Sequence, residues 1–125
     1  MGVIMKPVSE VMRRDAVGIE GTEAVSTALE LMKNTGISIA PVVSGGRLIG
    51  LLTMERAARG GYSGKTVREV MLRPDAFAEE DTGIEDAAQR MVRSGLSRLP
   101  VVNNSREMKV TGIITSTGIM KELKK

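Results

Sequence analysis

Val8-Ser9-Glu10-Val11-Met12 returns later in the chain as Val67-Arg68-Glu69-Val70-Met71, and the match continues at the same offset. Ala28, Met32 and Gly36 fall on Ala87, Met91 and Gly95, and Ser38-Ile39-Ala40-Pro41-Val42-Val43 falls on Ser97-Arg98-Leu99-Pro100-Val101-Val102. The register slips where the turn at Ser44-Gly45-Gly46 lengthens to Asn103-Asn104-Ser105-Arg106-Glu107, after which Gly50-Leu51-Leu52-Thr53 meets Gly112-Ile113-Ile114-Thr115. Self-similarity at such a period means one supersecondary unit written twice. The chain has 125 residues, so the copies (1–62 and 63–125) are each too small to bury enough surface alone to offset chain entropy. They are expected to pack together as one compact pair.

Each copy reads as strand, helix, strand, strand, helix, which places the chain in the mixed α/β (α+β) class. Val25, Ala28, Leu29 and Met32 recur at helical spacing, as do Ile84, Ala87, Ala88, Met91 and Val92, and these stripes are expected to face inward. Thr82-Gly83-Ile84-Glu85 spells a capping box for the second of these helices. Gly36 and Gly95 follow the last periodic turn, where a left-handed residue ends a helix at least cost. Two β-rich runs follow each glycine, 39–43 with 48–53 and 98–102 with 110–115, and they should pair. Pro41 and Pro100 lack an N–H and are expected at a strand start or sheet edge. Gly60-Gly61-Tyr62-Ser63-Gly64-Lys65 is the linker-like stretch between the copies.

Composition narrows the function. The chain contains neither cysteine nor histidine, which removes thiolate chemistry, the commonest general base and the commonest metal ligand. An enzyme is therefore not expected, nor is a metal site or a required cofactor. The Glu79-Glu80-Asp81 run could hold a cation, but carboxylates just ahead of a helix are also what the helix dipole favours. No stretch approaches the ~20 apolar residues of a membrane span, and the opening residues Met1 to Pro7 lack a signal-peptide core, so a cytoplasmic protein is expected. A net charge of +3 and only two aromatic residues, Phe77 and Tyr62, give Arg13-Arg14, Arg47, Arg59 and the basic C-terminus little basis as a nucleic-acid surface.

The repeated Val-x-Glu-Val-Met lead-in, the Gly-Ile-Ser-Ile-Ala-Pro-Val-Val and Gly-Leu-Ser-Arg-Leu-Pro-Val-Val segments and the Gly-x-x-Thr strand ends resemble the cystathionine-β-synthase (CBS) domain. In tandem they resemble the pair called a Bateman module, and the resemblance covers almost the whole chain. It implies two β-α-β-β-α repeats packed through their sheets about a pseudo-twofold axis, commonly forming a homodimer. It also implies inter-repeat clefts that take an adenosine-containing ligand: AMP, ADP, ATP, S-adenosylmethionine or NAD(P). By position, Thr53 and Thr115 would approach ribose or phosphate, and Ser38-Ile39-Ala40 and Ser97-Arg98-Leu99 would contact the adenine. Thr22 and Thr82 lie near a further ligand-touching position. Such a module regulates a partner enzyme or transporter; a scaffold that has lost its ligand is the alternative. Nucleotide-binding relatives carry an Asp three residues after the Thr, where its carboxylate accepts from both ribose hydroxyls. Here Arg56 and Gly118 stand at those positions, so that clamp is absent from both copies.

Each of these residues also has a purely structural reading. Thr53 is a competent N-cap. Thr115-Ser116-Thr117-Gly118 offers hydroxyls and backbone N–H groups at a helix start, which suits an anion or an ordinary cap equally. Arg98 could reach a phosphate or lie on the surface of an edge strand. Arg56 could take an extra anionic group, although a solvated helix residue paired with Glu55 or with nothing is the simpler reading. The nine methionines are expected mainly in the core, as at Met32 and Met91.

Overall fold

The computed structural model describes residues 6–15 and 18–124. Residues 1–5, read above for a signal peptide, and Lys125 of the basic tail lie outside the described residues. The chain divides into two compact units: a first unit running from Gly18 through Asp75, and a second that joins residues 6–15 to those from Ala76 onward.

The first unit contains β1 (Ile19–Glu20), α1 (Val25–Thr35), β2 (Ile39–Ser44), β3 (Arg47–Thr53), α2 (Met54–Ala57) and α3 (Val67–Val70). Its sheet has the order β1-β2-β3, with β1 parallel and β3 antiparallel to β2. The second unit repeats the plan with β4 (Ala78–Glu79), α4 (Ile84–Ser94), β5 (Arg98–Val102), β6 (Val110–Thr115) and α5 (Ser116–Leu123), again in the order β4-β5-β6. A 3-10 turn at Val8–Glu10 completes it. Each hairpin carries a bulge, beside Val42/Val43 and Val101/Val102. The expected strand-helix-strand-strand-helix order is thus present twice. The Gly60–Lys65 loop falls inside the first unit, and Tyr62 packs on that unit's core.

The repeats in sequence and the units in space differ at the lead-ins. Val8 and Met12 belong to the core that holds Ile84, Met91, Leu99, Val101, Ile114 and Ile119. Val67 and Val70 belong to the core that holds Val25, Met32, Val42 and Leu52. Each repeat's lead-in therefore completes the core of the unit built on the other repeat. The backbone bonds are equivalent: Val8 N donates to Thr82 O at 2.8 Å as Val67 N does to Glu23 O at 2.8 Å. Arg13 and Ile113 exchange N–H···O bonds of 2.8 Å each, and Leu72 and Leu51 exchange bonds of 2.8 and 3.0 Å.

That exchange explains the prolines. Both sit inside the central strand of their sheet and are fully buried, not at a start or an edge as expected. Pro41 faces Leu51 and Pro100 faces Ile113, whose backbone groups are already bonded to Leu72 and Arg13. These are non-hydrogen-bonded pairs, and β1 and β4 reach only Val42–Val43 and Val101–Val102 on the other side. The missing donor leaves nothing unpaired.

It also explains the glycines of the Gly-x-x-Thr strands. A Cβ on Gly50 would lie 2.4 Å from Met71 Sδ and 2.7 Å from Leu72 O. One on Gly112 would lie 2.6 Å from Arg13 O and 2.8 Å from Met12 Sδ. The lead-in crosses where a side chain would otherwise stand.

Helix ends depart from expectation in one place. Gly36 (φ 71°) and Gly95 (φ 72°) close α1 and α4 in the left-handed conformation. The capping box at Thr82 is not formed: α4 begins one residue later than it requires, with Gly83 as N-cap and no side-chain bond. Thr82 is buried, and its hydroxyl instead accepts from Glu79 N at 2.9 Å, closing the turn after β4. A carboxylate cap forms ahead of α3, where Glu69 accepts from Thr66 N at 2.8 Å. Val92 is a second departure, 83% exposed although its spacing suggested the inward stripe.

Candidate functional site

The strand ends of the two units share one construction. In the first unit β2 opens at Ile39 opposite Thr53, the last residue of β3. Ser38 O accepts from Met54 N at 2.8 Å, and the Thr53 hydroxyl accepts from Arg56 N at 3.1 Å, starting α2. In the second unit Arg98 stands opposite Thr115. Ser97 O accepts from Ser116 N at 2.8 Å, and the Thr115 hydroxyl accepts from Gly118 N at 3.0 Å, starting α5. Both threonines are therefore N-caps, half-buried, and bring strand end, preceding loop and helix start to one corner.

The corners differ in chemistry. Arg56 neither pairs with Glu55 nor stands free in solvent: its Nε donates to Val70 O, tying the start of α2 to α3, while Glu55 pairs with Arg59 at 3.6 Å. At Gly118 no side chain exists, and a Cβ there would touch little beyond the Thr115 hydroxyl at 3.1 Å. Where the first unit has buried Ile39, the second has half-buried Arg98, whose Nε is buried without a hydrogen-bond partner. Leaving such a donor unpaired costs about 1–3 kcal/mol, a penalty an acceptor would remove. α2 has four residues and α5 has eight.

The remaining candidates are distributed as follows. Ser38 and Ser97 are exposed, whereas the side chains of Ile39, Ala40 and Leu99 are buried in the cores, so these three present backbone only. Ser116 is half-buried and Thr117 exposed, both in the first turn of α5. Thr22 is exposed in the turn before α1, unlike its buried counterpart Thr82. Among the described residues no three acidic side chains gather as a metal site, and no helix is long and apolar enough to cross a membrane.

A groove that the motifs did not announce runs between α4 and α5. It has a volume of about 400 Å³ and is lined chiefly by Met91, Val92, Leu96, Ile119, Met120 and Leu123. Val92, Met120 and Leu123 are more than half exposed. The signal available in sequence was a stripe too wide for one core: Val92 beside Met91 on α4, and Met120 and Leu123 one helical step apart on α5.

With these features in place, comparison with known proteins is direct. The CBS domain profile matches residues 8–60 and again 67–125; the chain belongs to the CBS domain family, as a tandem pair. An inosine-5′-monophosphate dehydrogenase of Methanocaldococcus jannaschii is 31% identical over 121 residues, 96% of this chain and 24% of that protein. The chain thus spans about a quarter of that relative's length. Among solved structures, the CBS domain pair of protein MJ0100, in complex with 5′-methylthioadenosine and S-adenosyl-L-methionine, superposes with a TM-score of 0.81 at 24% identity, covering 96% of this chain and 97% of that one. CBSX2, known from Arabidopsis thaliana and also solved with AMP, gives 0.82 at 22% identity for the AMP complex, covering 95% and 98%. At these identities the likeness establishes the fold.

Proposed function

We propose that the chain is a regulatory, non-catalytic CBS pair that binds an adenosine-containing ligand and passes its occupancy to a partner enzyme or transporter. The observation that carries this reading is the strand-end corner of the second unit. A buried guanidinium nitrogen without a partner stands there across from Thr115, at the start of the hydroxyl-bearing helix α5. The MJ0100 pair and CBSX2, solved with adenosine compounds, support the ligand class. AMP, ADP, ATP, S-adenosylmethionine and NAD(P) are the members to try. A cytoplasmic setting, where these metabolites are abundant, completes the proposal. Ligand can shift the protein's conformational equilibrium only by its differential affinity for the states concerned.

The test is a thermal-shift screen against those five ligands. A ligand that binds only the folded protein adds about 2.7 kcal/mol at a hundredfold excess over Kd, so one of them raises the melting temperature. A flat screen with no calorimetric heat from any of them rejects the reading.

A second reading, a scaffold that works by forming homodimers, is favoured by the apolar α4–α5 groove. Exposed contiguous apolar surface of this kind marks an association site. Under this reading sedimentation shows a dimer whose stability is indifferent to nucleotides; a monomer at micromolar concentration rejects it.

A further inference from the structure

One backbone plan yields an apolar face in the second unit and not in the first. On α4 and α5 the exposed Val92, Met120 and Leu123 border a groove whose floor includes the buried Met91 and Ile119 and the half-buried Leu96. At the matching places the first repeat has Lys33, Ala58 and Gly61, and its α2 has four residues where α5 has eight. The fold therefore does not require this face, and a contiguous apolar surface with a polar border marks a site that something covers.

The charges around it say what. Each exposed apolar residue is followed by an exposed cation: Val92 by Arg93, Met120 by Lys121 and Leu123 by Lys124. Successive residues of a helix stand about 100° apart, so each cation flanks its apolar neighbour. Among the described residues none of these three side chains is in an ion pair. The acids of the two helices do not offset them, because Asp86 pairs with Arg90 and Glu122 with Lys6, which leaves Glu85. From this apolar floor and cationic rim we infer that the α4–α5 groove is the docking site of the regulated partner, which presents an acidic amphipathic segment. Its apolar anchors enter the groove and its carboxylates meet Arg93, Lys121 and Lys124. This rests on the regulatory reading above and describes the partner that reading calls for.

A second copy fits the groove less well. A twofold contact presents the same patch from both sides, so cations would face cations. An anionic membrane matches the charge but takes a protruding apolar face, whereas Met91 and Ile119 lie recessed between two helices. An amphipathic helix laid in such a groove buries its anchors at i, i+3 or i+4, and i+7.

The experiment is selection of a phage-displayed library of random peptides, about 16 residues long to span such a helix, on the intact chain. Enriched sequences should carry apolar residues at helical spacing with Asp or Glu between them, and the Met120→Lys/Leu123→Lys protein should enrich none of them. A synthetic peptide of the enriched sequence should bind more weakly as salt rises. The Arg93→Glu/Lys121→Glu/Lys124→Glu protein, with three exposed charges reversed, should bind it roughly tenfold or more less tightly, with an unchanged melting temperature. No enrichment, enrichment of basic or uncharged peptides, or equal binding by the charge-reversed protein would overturn the inference. So would a micromolar dimer that the Met120→Lys/Leu123→Lys protein fails to form, which assigns the groove to a second copy. Co-sedimentation with phosphatidylserine vesicles, lost in the same variant, would overturn it in favour of a membrane. Each of these leaves the ligand-sensing reading to its own thermal-shift screen; a flat screen beside acidic enrichment rejects that reading and supports the docking site.

Discussion

Gly50 and Gly112 show how much one missing methyl group decides. Both stand in extended strands and are needed for space, not for an unusual backbone conformation, because the lead-in backbone and a methionine sulfur occupy the place of a Cβ. Gly50→Ala and Gly112→Ala should each destabilise the protein by about 1–3 kcal/mol, the usual cost of overpacking, measured as a drop in the urea midpoint. Gly36→Ala instead meets no neighbour and loses only the left-handed conformation. Glu69 gives a pH-dependent counterpart. The hydrogen bond from Thr66 N–H holds its carboxyl below the ordinary glutamate value. A lowered folded-state pKa contributes stability that is present above the unfolded pKa and is lost as pH falls through the folded one. The melting-temperature gap between wild type and Glu69→Gln should therefore be constant near neutrality and close in acid, below the carboxylate range.

At the scale of elements, what could be read from sequence was set by local chemistry. Periodicity placed Met32 and Met91 in the cores, and Gly36 and Gly95 ended their helices as their spacing required, because these outcomes depend on one element and its immediate flanks. The prolines were misplaced because their environment depends on Leu72 and Arg13, residues far away in sequence that take up the facing backbone groups. Thr82 was misread for a different reason: two local bonds competed for one hydroxyl, and the turn after β4 won over the helix start. The two strand-end corners were legible in the sequence as a repeated Gly-x-x-Thr, but their asymmetry was not. Neither the Arg56–Val70 bond nor the isolation of Arg98 Nε follows from spacing. The caps themselves are testable. Thr115→Val removes the acceptor for Gly118 N and should cost about 1 kcal/mol, read by chemical denaturation. Met120→Lys with Leu123→Lys places two charges on the apolar α4–α5 groove; if homodimers form there, sedimentation should show them dissociating with little change in melting temperature.

For the whole molecule, the interleaving of repeats and units makes local truncation act at a distance along the chain. Met12 packs in the second unit's core although it belongs to the first repeat in sequence. Met12→Ala should cost about 2–5 kcal/mol and loosen the amides of Gly112 to Thr115 in hydrogen exchange before those of β2 and β3. Met71→Ala should do the reverse. A chain built from two self-contained repeats would show the opposite pattern.

The same interleaving sets an order of events during synthesis. Domains form as units while the ribosome is still extending the chain, and the first unit is contiguous, so its parts have all emerged once Asp75 clears the exit tunnel. The second unit joins residues 6–15 to those beyond Asp75, so Val8 and Met12 are made well before the strands that they pack against. A nascent chain halted just after Asp75 has cleared the tunnel holds every part of the first unit, while Val8, Val11 and Met12 still lack the core that covers them, and that segment is where a chaperone would be expected to act.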